Sequence, residues 1–247
     1  MAEPQDLVAD ATPLAPVRWG LGDVLIGFVL SLIGSQITLA IAIVASGTPA
    51  DQVRTKLPLG WLAVAQTGLW LGYLGVVWYA ARYKGNGMRR DFGLAIQLVD
   101  VPVGIGVGFA AQYLIVPLVY VPMRLLVHFN TDDISRPARD ITDRASGPVG
   151  VILLILIVGI GAPIVEEIFF RGLLQRSLIR KVGPAWGIGL TAVIFGAVHF
   201  EPLQFPALAL AGAAFGILAY RSGRLGPSIA AHMFFNLTAV IALLVVS

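Results

Sequence analysis

The sequence predicts an all-α bundle of about seven to eight transmembrane helices with a buried polar site, on three observations. Apolar residues make up 57% of the 247 and charged residues 13%, with a mean hydropathy of +0.83, against about 45–50% and 25% in soluble domains. Apolar runs recur at the length that crosses a bilayer, about 20 residues of helix each. The few ionisable residues inside those runs are gathered in the C-terminal half, although each costs at least a few kcal/mol at membrane depth.

Taken in chain order, residues 1–20 (MAEPQDLVADATPLAPVRWG) are acidic, proline-containing and aperiodic, and read as a disordered arm. A cleavable signal peptide needs a basic leader and a short apolar core; here only Arg18 precedes a run of span length. Residues 21–247 read as a single transmembrane domain. Its spans are expected at about 24–45, 59–81, 101–127, 149–170, 186–200, 204–220 and 227–246. An eighth arises if the stretch 149–181 is broken. None alternates with period two, so helices rather than barrel strands are expected.

The loops supply orientation. Arg82, Lys84, Arg89 and Arg90 follow the second span, Arg176, Arg180 and Lys181 the fourth, and Arg221 and Arg224 the sixth. All three groups fall on one side, which the positive-inside rule makes cytoplasmic, together with the N-terminus. The net charge is only +3 and the basic residues are spread over short loops, which gives no footprint for nucleic acid. The polar connection 128–148 lies on the other side as a candidate surface cap. With no cysteine in the chain, disulfides, thiolate metal ligands and a cysteine nucleophile are excluded. The glycine pairs Gly68/Gly72, Gly104/Gly108 and Gly212/Gly216 allow helices to approach closely, and packing within the bundle is the favoured use.

Two of the four glutamates, Glu166 and Glu167, stand in VEEIFFRG, behind the uncharged run 149–164. Glu167 and Arg171 are four apart with the acid first, the favourable order for an intrahelical ion pair. Glu166 points about 100° away and needs another partner. His128 ends a span beside the polar loop and reads as an interface residue. His199 and His232 lie inside apolar segments. Phe195 with His199, and His232 with Asn236, each share a helix face, so a common polar pocket is expected. One point resists: His232 is about 9 Å into its span from Gly226, whereas His199 is some 20 Å from Trp186. The two meet if the 186–200 helix starts below the membrane surface or tilts.

Three motifs in order, EEIFFR (166–171) as EExxxR, FGAVH (195–199) as FxxxH and HMFFN (232–236) as HxxxN, resemble the CPBP family, the CAAX proteases and bacteriocin-processing enzymes also called Abi. The resemblance covers about 149–246. It implies an intramembrane endopeptidase, an integral multi-pass protein of the plasma membrane if the source is bacterial, with its site opening to the cytoplasm. A peptide or membrane-protein substrate, with lipidated substrates included, would be its partner. On this reading Glu166 is the general base, His199 polarises the attacking water, His232 and Asn236 hold the oxyanion or a metal, and Glu167 with Arg171 support the site.

Glu166, His199 and His232 are also candidate ligands for a divalent metal such as zinc, and the family is commonly labelled metalloprotease. The chain nevertheless lacks HExxH. Every Asp lies in a loop or at a span edge, which argues against an aspartyl enzyme. GPSIAAH (226–232) holds a G-x-S-x-A string, yet Ser228 and His232 on one helix are poorly placed as nucleophile and base. The remaining alternatives are a non-catalytic bacteriocin-immunity or scaffold protein of the same fold, and a proton-coupled transporter, which the lack of a sequence repeat disfavours.

Overall fold

A computed structural model describes residues 15–126 and 130–246; His128 lies outside the described residues. Each of the seven apolar segments is helical: α1 (Leu21–Ser46), α3 (Leu59–Tyr83), α5 (Asp100–Leu126), α7 (Gly147–Val182), α8 (Pro184–Ala197), α9 (Phe205–Ser222) and α10 (Gly226–Val246). Between them lie the short α2 (Val53–Lys56) and α4 (Met88–Phe92), and α6 (Thr131–Thr142) within the long polar connection. Six of the seven are long and apolar enough to cross a membrane; α8, at 14 residues, is shorter. The chain is an integral helical membrane bundle. Its 149–181 stretch is not broken: α7 is continuous over 36 residues, so no eighth span arises there.

Continuity comes with a change of register. Residues Ile155–Gly161 and Glu167–Gln175 in α7, and Ala111–Ile115 in α5, are π-helical. A π turn pairs i with i+5, which rotates the side chains that follow relative to an α-helix. Both sides of the Glu166–Glu167 pair are therefore set by π geometry.

Small residues determine which helices meet. In α3, Gly68 lies against the Gly34 carbonyl of α1 and Gly72 against Ser31, while Thr38 Oγ1 donates 2.7 Å to Ala65 O. Gly104 and Gly108 of α5 face Ala230 and Ala231 of α10, and Gly212 of α9 faces Phe195 and Ala192 of α8. All three glycine pairs pack the bundle internally, since a side chain at any of them would strike a neighbour. Only five residues of α1 are buried; its remaining surface, including Leu25, Val29, Ile33 and Ile37, is exposed as expected of a lipid-facing helix.

The end carrying the basic clusters is tied by Lys84–Asp23 and Arg224–Asp100, both 2.6 Å. Residues 15–20 are part of this end, and the reading of 1–20 as a disordered arm does not hold for them. Arg18 N donates to Lys84 O, and Trp19 is buried against Phe92 with the Arg180 guanidinium over its ring. Arg176 and Arg180 are not loop residues either: α7 runs on to Val182 and carries both on its last turns. At the opposite end α6, strongly amphipathic in sequence, is held by Gln204 Nε2 donating 2.6 Å to Ile134 O.

Candidate active site

The centre of the C-terminal half is a buried charged pair on α7. Glu167 and Arg171 have no exposed side-chain surface, and Arg171 Nη1 lies 2.8 Å from Glu167 Oε1. That contact is Coulombic rather than an aligned hydrogen bond. Arg171 Nη2 donates 3.0 Å to Gly212 O, and the guanidinium carbon sits 4.3 Å from the Phe195 ring centroid and 5.8 Å from that of Phe215. Gly212 has no side chain, and a Cβ there would crowd both Phe195 and Arg171. The glycine is what lets the arginine reach a carbonyl of α9.

Glu167 also reaches across to α10. His232 Nδ1 donates to its Oε1 at 3.0 Å, because a carboxylate only accepts. That bond leaves Nε2 as the open nitrogen of His232. Nε2 lies 3.8 Å from Oε2 of Glu166, whose side chain is 16% exposed against none for Glu167. Adjacent in sequence, the two glutamates thus have different surroundings: one is locked between a guanidinium and an imidazole, the other is within reach of water. The His232 ring is stacked on Phe215 at 5.2 Å between centroids, which fixes its plane as well as its tautomer.

His199 is not on a helix. α8 ends at Ala197, and His199 stands in the turn that leads to α9, where Phe200 takes a left-handed backbone with φ 56°. Its Nδ1 donates 2.7 Å to Phe195 O, so here too Nε2 is the open nitrogen. Phe195 separates the histidines, its centroid 4.9 Å from His199 and 5.6 Å from His232. Asn236 is one turn further along α10, where its Nδ2 donates 2.9 Å to Val158 O in the first π stretch. Ser228 is fully buried with its hydroxyl donating to Leu225 O, which withholds it from a nucleophile's role.

Gly187 packs on Ile179, so the start of α8 lies beside the last turns of α7. The Phe195 ring, in contact with both histidines, shows that His199 and His232 reach one neighbourhood despite their different distances along the chain.

Three groups came together that the spacing pattern did not single out. Phe215 stacks on His232, Gln175 donates 2.9 Å to Gly216 O, and the ring of Tyr73 lies 4.1 Å from that of Phe169 in an aromatic wall with Phe28 and Phe170. Phe215 and Gln175 had a signal in hindsight: each is bracketed by the Gly212/Gly216 pair or bonded to it. Among the described residues no three His, Cys, Asp or Glu side chains form a group that could hold a metal ion. Glu166, His199 and His232 do not form such a group.

The motif order and this geometry agree with the comparison to known proteins. Residues 148–238 match the family model described as type II CAAX prenyl endopeptidase Rce1-like. The matched segment contains every residue of the site, from Glu166 to Asn236. A curated relative, "Putative membrane peptidase YdiL" of Bacillus subtilis (strain 168), is 33% identical over 91 residues, 37% of this chain and 37% of that protein. The match thus spans little more than a third of the relative's length. No solved structure gives a significant match.

Proposed function

We propose that this protein is an intramembrane endopeptidase that hydrolyses a peptide bond near the membrane surface with a glutamate-activated water. The observation that carries this reading is the inequality of the two glutamates. Glu167 is consumed by Arg171 and His232, while Glu166 is partly exposed opposite the open Nε2 of His232. A base must be reachable by the water whose proton it takes.

Glu166 accepts that proton as the water oxygen bonds to the scissile carbonyl carbon. The tetrahedral oxyanion forms beside Asn236, whose amide keeps one N–H after its bond to Val158 O. Collapse breaks the C–N bond, and the proton held by Glu166 passes to the leaving amine. His199, its Nδ1 anchored on Phe195 O, orients the water through Nε2. Glu167 and Arg171 act through His232 as positioning residues. The family match supports peptidase chemistry; a substrate that is a peptide or a membrane-protein segment, lipidated ones included, is part of the proposal. So is a site opening on the cytoplasmic side, which the basic clusters favour.

The test uses full-length detergent-solubilised protein and fluorogenic peptides, prenylated and unmodified, with and without a chelator. Glu166→Gln should lower cleavage by about 100-fold or more, the scale of a lost general base, with unfolding unchanged. Wild-type turnover in a folded Glu166→Gln protein would remove Glu166 from the mechanism.

A further inference from the structure

A cavity of about 340 Å³ opens at the end of the bundle that carries the basic clusters. Its walls are Trp19, Asp91, Gln175, Arg176, Ile179, Arg180, Ala219, Tyr220 and Gly223, with Arg171 among them. Arg176 and Arg180 are one turn apart on α7, and the Asp91 carboxylate is near enough to attract both. Among the described residues neither makes an ion pair with a carboxylate. Arg176 donates instead to Asp91 O at 3.2 Å and Gly223 O at 2.7 Å, and Arg180 to Trp19 O at 2.8 Å.

Five N–H donors per guanidinium leave most of their capacity unused. The acid in the wall, Asp91, is itself engaged: its oxygens accept from Trp19 Nε1 at 3.2 Å, Asn86 N at 2.5 Å and Asn86 Nδ2 at 3.4 Å. With the Arg176 and Arg180 guanidinium groups beside one carboxylate, the cavity keeps a net positive charge. Trp19 and Tyr220 stand beside it, the residue types that settle at the headgroup level of a bilayer.

We infer that this cavity binds a phosphoryl group, as carried by the headgroup of an anionic phospholipid, between the guanidinium groups of Arg176 and Arg180. Arginine forks match phosphate oxygens in pairs, and the apolar parts of Trp19, Ile179 and Ala219 line the space for the rest of the molecule. The proposal does not depend on the protease reading. It does place a ligand one residue from the site, since Arg171 borders the cavity on one side and holds Glu167 on the other.

The experiment titrates the full-length protein in neutral detergent with short-chain phosphatidylglycerol, with short-chain phosphatidylcholine and with inorganic phosphate, reading the shift in thermal unfolding. Saturable stabilisation by phosphatidylglycerol, weakened about tenfold or more in Arg180→Gln, is expected from the loss of one charge-assisted contact. The exposed pair Arg89→Gln/Arg90→Gln should leave it unchanged. Equal saturable stabilisation by inorganic phosphate would support the site and assign it to the free anion. No saturable response to phosphatidylglycerol or to inorganic phosphate, an equal response to phosphatidylcholine, whose choline offsets the charge of its phosphodiester, or equal losses in the two sets of variants would overturn it. Because Arg180→Gln also loses its hold on Trp19, a photoreactive phosphatidylglycerol is added to the wild-type chain. Adducts on 175–180 or 219–223 support the assignment, and adducts confined elsewhere refute it.

Discussion

The buried pair Glu167 and Arg171 makes a quantitative prediction that separates stability from catalysis. Both side chains are fully buried and 2.8 Å apart. At an effective dielectric of about 20 their Coulomb attraction is roughly 6 kcal/mol, opposed by several kcal/mol of desolvation. The net worth of the pair is therefore small, but removing one member strands the other. Glu167→Gln leaves the Arg171 guanidinium with the Gly212 carbonyl, two aromatic faces and the more distant Glu166 carboxylate, and should cost about 3–5 kcal/mol. That corresponds to about two to three and a half orders of magnitude in the folding equilibrium.

Arg171→Met should cost a similar amount, through an uncompensated carboxylate. The double variant should recover most of either loss, giving a coupling well beyond the additivity error of about 0.5 kcal/mol. Reversible unfolding of the purified protein in mixed detergent micelles, followed by tryptophan fluorescence, measures all four corners of the cycle. Single costs below about 1 kcal/mol, or a double variant that is merely the sum, would refute the claim that these charges are held dry and mutually dependent.

Two further outcomes are expected from the same structure. Gly68→Leu should destabilise the α1–α3 pair by about 3 kcal/mol, the upper end of overpacking costs, because the new side chain meets the Gly34 backbone carbonyl, which cannot rotate away. Gly75→Leu, whose Cβ position is open, should change stability by less than about 1 kcal/mol in the same unfolding assay. Asn236→Leu should cost only about 1 kcal/mol of stability through its bond to Val158 O. A fall in cleavage much larger than that in a protein still folded would place Asn236 at the oxyanion, whereas full activity would reduce it to a helix tie.

Composition and run length were enough to read the membrane bundle, because each span must be apolar and helical on its own to satisfy its backbone in lipid. Spacing was enough for Glu167 with Arg171, a contact made within one helix. The same locality explains where the reading stopped. Residues 15–20 look disordered by composition, yet Trp19 finds its place against Phe92 and Arg180, which are distant in sequence. Arg176 and Arg180 look like loop charges, yet α7 extends past them and turns them toward carbonyls.

The chain by itself determined that Glu166, Glu167, Arg171, His199, His232 and Asn236 stand in or beside apolar spans, since polar groups at such depth are too costly to be incidental. Only the tertiary structure decided their roles in space. The packing of α10 against α7 placed His232 on Glu167 and left Glu166 partly exposed, and Phe195 stands between His199 and His232. The physical reason is that these relations depend on how helices are offset along their axes, and an offset is fixed by side chains that meet across helices rather than along one.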